Sequence, residues 1–252
     1  MSTVQSAATR LADMLAECRR AVVFTGAGIS TESGIPDFRG PGGIWSRMTP
    51  VYYQDFVASE EARREAWRRK LEVDRDMQRA EPNRGHRAVA ALVRNGTASS
   101  VITQNIDGLH QRSGIPDERV IELHGNSTYA SCLDCGERHE LEPILADFRH
   151  DERLPLCRSC GGMVKTATIS FGQPMPETAM AIAREESVAC DLFIAVGSSL
   201  VVYPAAGFPV IAKRAGARLV IVNREATELD PIADLVIHDE IGVTLGEAVG
   251  VD

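Results

Sequence analysis

The sequence predicts an α/β fold: an open parallel sheet with a small module inserted near its middle. Three observations predict it. Several apolar runs of strand length lack strict alternation, as strands buried on both faces of a parallel sheet do. Patterns of helical period lie between them, and strand alternating with helix marks an open α/β sheet. Residues 127–162 break that rhythm and hold four of the six cysteines in two C-x-x-C pairs.

In chain order, Val4, Leu11, Met14, Leu15 and Cys18 share one face of a first helix, which Ser2 or Thr3 can cap. The run Ala21-Val22-Val23-Phe24 follows and ends in Thr25-Gly26-Ala27-Gly28. Residues 30–47, rich in Gly, Pro, Ser and Thr, have no periodicity and are too long for an idle connection. They read as a functional cover or as disorder. Helical patterns cover 60–80, 86–95, 177–186 and 204–215. The other strand-like runs are 100–103, 120–123, 192–196, 218–222 and 235–237.

Composition narrows the function. The 252 residues carry 44% hydrophobic and 25% charged side chains, which excludes a disordered chain and a disulfide miniprotein. A formal net charge of −8 offers no general basic field for nucleic acid. No run of 18 apolar residues exists to span a membrane. The first twenty residues include Asp13 and Glu17 and do not read as a secretory signal, so the expected compartment is the cytoplasm.

Four groups of residues carry chemistry. Gly26-Ala27-Gly28 follows a strand, where backbone N–H groups can approach a phosphate. The dinucleotide fingerprint is incomplete, because Thr31 replaces its third glycine and no acid follows about twenty residues on. A tight turn with glycines for steric reasons is the alternative. Gly34-Ile35-Pro36-Asp37-Phe38-Arg39-Gly40 then sets an acid, an aromatic ring and a guanidinium in one glycine-bounded loop. Arginine suits phosphate and phenylalanine covers a flat ring.

Gln104, Asn105 and Asp107 begin where the second strand ends, and ligands in open α/β sheets bind beyond such ends. They offer hydrogen bonds to ribose hydroxyls or a carboxamide; an Asx-type turn is the alternative. The third strand delivers His124-Gly125 to the same edge, where a neutral imidazole can act as general base near pH 7. His86, His110, His139, His150 and His238 read as structural. Cys132, Cys135, Cys157 and Cys160 form two knuckles separated by 21 residues. They can close a tetrahedral, structural Zn²⁺ site, with two redox pairs as the alternative.

Taken together, Gly26-Ala27-Gly28-Ile29-Ser30, residues 34–40, Thr103-Gln104-Asn105-Ile106-Asp107-Gly108-Leu109-His110, His124-Gly125 and the paired cysteines resemble a sirtuin. Phe171-Gly172-Gln173-Pro174-Met175-Pro176, Gly197-Ser198-Ser199-Leu200 and Asn223-Arg224-Glu225 extend the resemblance over about residues 21–242. It implies a Rossmann-like large domain with a small zinc-bearing domain. It also implies NAD-dependent removal of acyl groups from lysine. The expected boundaries are 1–29, 98–126 and 166–252 for the NAD-binding domain. Residues 30–97 are expected to form the cofactor loop and helical part of the small domain, and 127–165 its zinc module.

The resemblance implies roles residue by residue. Gly26, Ala27, Gly28, Ile35, Asp37, Phe38, Arg39 and Trp45 would hold the pyrophosphate and nicotinamide side of NAD. Gln104 would meet the nicotinamide ribose, and Asn105, Ile106 and Asp107 the nicotinamide pocket. Gly197, Ser198 and Ser199 would meet phosphate and ribose, with Asn223, Arg224, Glu225 and Ile241 at the adenosine. The acyl oxygen would attack the ribose carbon as nicotinamide leaves. His124 would then serve as general base on a ribose hydroxyl, with Asn105 and Asp107 completing the catalytic set. The products would be lysine, nicotinamide and O-acyl-ADP-ribose.

The acylated protein would lie as an extended strand near Gly172, Met175, Leu200 and Tyr203. No direct nucleic-acid or membrane partner is implied. Gln173 stands where relatives commonly carry Glu, and Thr166 and Thr168 where they often carry Pro and Val, which bears on substrate preference. The Y-x-x-R pair of succinyl-removing members is absent; Trp67-Arg68-Arg69 comes nearest. Uncharged acyl chains are therefore expected. A protein mono-ADP-ribosyltransferase and a non-catalytic NAD-sensing module remain the alternatives.

Overall fold

The computed structural model describes residues 5–37, 43 and 49–252. The strands in chain order are β1 (Ala21–Thr25), β2 (Ala98–Thr103), β3 (Val120–Glu122), β4 (Gly125–Cys132), β5 (Arg138–Glu140), β6 (Val164–Thr168), β7 (Leu192–Val196), β8 (Arg218–Val222) and β9 (Leu235–Ile237). The helices are α1 (Ala7–Glu17), α2 (Tyr53–Ala58), α3 (Glu60–Arg79), α4 (Arg84–Arg94), α5 (Leu109–Arg112), α6 (Leu141–Asp151), α7 (Glu177–Ala189), α8 (Phe208–Arg214) and α9 (Ile241–Val249).

Six strands pair in parallel in the order β3-β2-β1-β7-β8-β9. Every residue of β1 and β7 is buried, because helices cover both faces. Val23, Ile194 and Val220 point to one side, onto Leu11 and Leu15 of α1, Val89 and Leu92 of α4 and Leu245 of α9. Val22, Phe24, Phe193 and Ile221 point to the other, onto Ala183 of α7 and Phe208 and Ala212 of α8. This two-sided burial is why the runs read as continuously apolar. Strand order reverses between β1 and β7, which opens a crevice at their carboxyl ends.

The cysteine-bearing stretch folds around a second, antiparallel sheet, β5-β4-β6. Its core joins Trp67 of α3 to Leu145 and Phe148 of α6 and to Ala130 and Val164 of the sheet. The Trp67 and Phe148 rings lie 6.4 Å apart.

Several local expectations change. Helix α1 begins at Ala7, and the Ser6 hydroxyl accepts from the Thr9 N–H at 3.1 Å. Ser6, rather than Ser2 or Thr3, is therefore its cap. The stretch expected to be aperiodic starts with a 3₁₀-helix, Ala27–Ser33, ended by Gly34 at φ +85°. Residues 204–215 divide into a 3₁₀ turn, Ala205–Gly207, and α8, whose Pro209 fits a first turn because its missing N–H costs nothing there. No described helix is long and apolar enough to cross a membrane.

Candidate active site

A cavity of about 920 Å³ opens at the strand-order reversal. Four strand ends supply its walls. Gly26, Ala27 and Gly28 come after β1, Gln104, Asn105 and Ile106 after β2, and Gly197, Ser198 and Ser199 after β7. Asn223, Arg224 and Glu225 follow β8, with Ile241 at the start of α9. Asp37 and His124 also face it. Phe38, Arg39 and Trp45 lie outside the described residues.

Three expected residues stand off the wall, Leu200 among them, buried in the core. Ile35 packs with Ala80 and Leu109 in a small buried cluster. Asp107 is buried behind Ser30, whose hydroxyl donates to its Oδ2 at 2.7 Å, while the Leu109 N–H reaches Oδ1 at 2.9 Å. Burial pushes the Asp107 carboxyl above its ordinary range, and these two donors oppose the shift. Asn105 donates from Nδ2 to Gly26 O at 3.1 Å and to Ser30 Oγ at 3.2 Å. One network thus ties the turn after β1 to the turn after β2.

The glycines act by close approach. A Cβ on Gly26 would lie 2.7 Å from Gly197 O, and one on Gly28 2.7 Å from Gly197 Cα. The Gly26 N–H donates to Val196 O at 3.0 Å and the Gly28 N–H to Gly197 O at 2.8 Å. Those two N–H groups therefore bind backbone, not an incoming phosphate, and the steric reason for both glycines holds. The gap they leave is the floor of a cradle that a side chain would fill.

His124 Nδ1 lies 3.0 Å from Gln104 O. A carbonyl only accepts, so Nδ1 carries the hydrogen and Nε2 the lone pair, the tautomer of a general base. Gln104 also reaches Ser198 Oγ from Nε2 at 2.8 Å, and the Ile169 N–H donates to His124 O at 2.8 Å. The Gln104 carbonyl thereby fixes the imidazole, and the Ile169 N–H anchors the backbone that carries it.

Cys132, Cys135, Cys157 and Cys160 place their sulfurs within 4.8 Å of one another. Two of the pairs are 3.5 and 3.6 Å apart. A disulfide needs about 2.05 Å. Four thiolates at about 2.3 Å from one Zn²⁺ sit about 3.8 Å apart, so the cluster fits a tetrahedral zinc. Glu137 Oε2 stands 3.2 Å from Cys157 Sγ.

Of the wall formed by α3, the sequence singled out Trp67-Arg68-Arg69 and did not name Lys70, Val73 or Met77. Trp67, Arg69, Lys70, Val73 and Met77 line the cavity together with Phe56, Ser127 and Lys165. Ser30 was quoted only within its motif, yet it bridges Asn105 and Asp107.

Residues 26–204 match the Sir2 family. The chain belongs to that family. It is 60% identical over 249 residues to NAD-dependent protein deacetylase 1 of Bradyrhizobium diazoefficiens, covering 99% of this chain and 98% of that one. It is 56% identical over 248 residues to an NAD-dependent protein deacetylase of Rhodopseudomonas palustris, covering 98% of each. Among solved structures, a Sir2 complex with a p53 peptide and NAD⁺ superposes with a TM-score of 0.84 at 39% identity, over 94% of both chains. The sirtuin resemblance and the Rossmann-like sheet with a small zinc-binding domain both hold.

Proposed function

We propose that this chain is an NAD-dependent protein-lysine deacylase that transfers the acyl group to ADP-ribose and releases nicotinamide. The observation that carries the reading is His124, held as an Nε2 base at the cavity where four strand ends converge, in a chain 60% identical to a named deacetylase. NAD supplies an electrophilic ribose carbon with nicotinamide as leaving group. The residues present fit it: a glycine cradle, amides after β2, hydroxyls after β7 and Asn223 after β8.

Asn105, with Asp107 and Ser30 behind it, orients the nicotinamide end. Gly197, Ser198 and Ser199 hold phosphate and ribose, and Asn223, Glu225 and Ile241 the adenosine. His124 takes the proton of a ribose hydroxyl. The acylated chain enters between Gly172–Met175 and Tyr203, which face the cavity. Leu200 is buried in the core and its N–H bonds Ser198 Oγ, so it braces that wall from behind. The zinc organises the small domain and has no open position for chemistry.

Mass spectrometry of an acetyl-lysine peptide and a carrier protein, each incubated with NAD⁺, tests this. Free lysine and O-acetyl-ADP-ribose are expected, and His124→Ala should slow their formation by ~10²–10⁴-fold. ADP-ribose on the carrier protein with the acetyl group retained would overturn the reading.

A further inference from the structure

Behind the β1 and β2 turns lie two histidines that the reaction as described does not use. His86, in the first turn of α4, and His110, in α5, are buried, and their ring centroids lie 5.2 Å apart. Each leaves one buried ring nitrogen without a partner: Nε2 of His86 and Nδ1 of His110. A buried polar atom without a partner costs on the order of 1–3 kcal/mol, so the two orphans call for a common explanation.

The donors around each ring settle where its hydrogen sits. The Asn83 N–H donates to His86 Nδ1 at 3.4 Å, as part of a capping box. His86 therefore carries its hydrogen on the orphaned Nε2. On the far side, Thr25 Oγ1 donates to Thr103 Oγ1 at 2.8 Å, so its 2.8 Å contact with His110 Nε2 must be one it accepts. His110 then has its hydrogen on Nε2 and a bare lone pair on Nδ1. The orphans are complementary, one donor and one acceptor. The opposite tautomer of His110 would leave two N–H donors and no acceptor between the rings.

We propose that His86 and His110 act as one neutral hydrogen-bonded pair that orients the Thr25 and Thr103 hydroxyls and so seats Asn105 at the cavity. No direct bond joins the two rings, so the link passes through one buried water between Nε2 of His86 and Nδ1 of His110. Thr103 Oγ1, at the end of the relay, accepts the Asn105 N–H at 3.0 Å. Both rings are positioning residues, and the effect on turnover rests on the reading that Asn105 serves the nicotinamide end. Burial supports the neutral state, holding His86 down at about 4 and His110 at about 3.

The test combines kinetics with histidine NMR on the full chain. ¹⁵N–¹H spectra at pH 7 should show both rings neutral with the hydrogen on Nε2; a charged ring, or Nδ1–H on His110, overturns the proposal. His110→Phe should slow exchange of labelled nicotinamide into NAD⁺ by about tenfold, equivalent to one lost hydrogen bond of about 1.4 kcal/mol. ADP-ribose affinity should stay within twofold. His110→Gln places an amide N–H near the lost Nε2–H and should recover most of the rate. Thr25→Val should match His110→Phe, and the double variant should be no slower than either. Multiplying effects, or a Gln variant as slow as Phe, would refute a relay through Thr25. If wild type exchanges no nicotinamide, the function reading fails by itself, and the NMR result still decides the pairing.

Discussion

Gly28→Ala probes how the nucleotide cradle is built. The new Cβ would sit 2.7 Å from Gly197 Cα and 2.8 Å from Gly197 O. Carbon atoms in ordinary contact are about 3.5–4.0 Å apart, so the two turns must separate by most of an ångström. Neither side can yield cheaply, since both obstacles are backbone and both parent strands are buried. Overpacking of this kind costs about 1–3 kcal/mol, and loss of the Gly28 N–H to Gly197 O bond about 1 more. The strain falls on the turn that carries Ser198 and Ser199 to the cavity, so NAD⁺ affinity should fall by about 10–100-fold. Gly96→Ala is the control. Unlike Gly28 it has positive φ, +81°, but no atom lies within 4 Å of its Cβ. It should cost about 1–2 kcal/mol of strain and leave NAD⁺ affinity unchanged. Calorimetric titration with NAD⁺ and thermal melts measure both. Wild-type affinity in Gly28→Ala, or equal weakening in Gly96→Ala, would refute the reasoning.

Cys132→Ala should lose the zinc, read by elemental mass spectrometry, and lower the melting temperature; a metal-free protein that folds and deacylates at the wild-type rate would remove the structural assignment. Stability should also fall in acid because of the buried histidine pair. Burial holds His86 at about 4 in the fold, below the ordinary 6.5, so the unfolded chain binds the extra proton first. The stabilisation is complete above about pH 6.5 and is lost as pH falls towards 4, by roughly 3 kcal/mol for that ring. Equal melting-temperature slopes for wild type and His86→Gln over that window would contradict it.

What was legible in the sequence tracks how local each cause is. Strands β1, β7 and β8 announce themselves because burial on both faces leaves no polar position to break the run. The zinc cluster is legible because tetrahedral thiolate geometry constrains spacing. Strands β4 and β6 were not, since Gly125-Asn126-Ser127-Thr128 and Lys165-Thr166 are polar residues kept in a sheet by pairing with distant chain. Helix α9 was missed although Ile241 was named, because its apolar face is apolar nearly all round and carries little periodicity. His110 read as structural, and by burial it is; its link to Thr25 exists only once β1 and β2 stand side by side.

The cavity's charge pattern extends the expectation from the missing Y-x-x-R pair. A succinyl chain brings a carboxylate that needs a cation freed from other duty. Arg68 is not available, since Glu152 takes it at 2.6 and 2.8 Å. Arg69 lines the cavity but donates to Glu65 at 2.6 Å and to Thr49 O. Lys70 holds Asp74 at 2.7 Å and Ser127 O at 2.8 Å in a nearly enclosed pair. Drawing Lys70 away would strand the Asp74 carboxylate, a cost of about 3–5 kcal/mol. Arg224, also on the wall, is held by Glu240 at 3.0 Å. Among the described cavity residues that leaves Lys165, which has no ion pair there and donates to the carbonyls of Thr166 and Thr168. Burial lowers its ammonium to about 8, so it stays mostly charged at pH 7, but a carboxylate would have to win it from two backbone acceptors. Acetyl-lysine should therefore exceed succinyl-lysine in kcat/KM by roughly 100-fold, about 2.7 kcal/mol. Both versions of one peptide, assayed on wild type and Lys165→Met, decide it. Equal values in wild type would sink the argument. A succinyl rate that disappears in Lys165→Met while the acetyl rate persists would name Lys165 as the cation that was free after all.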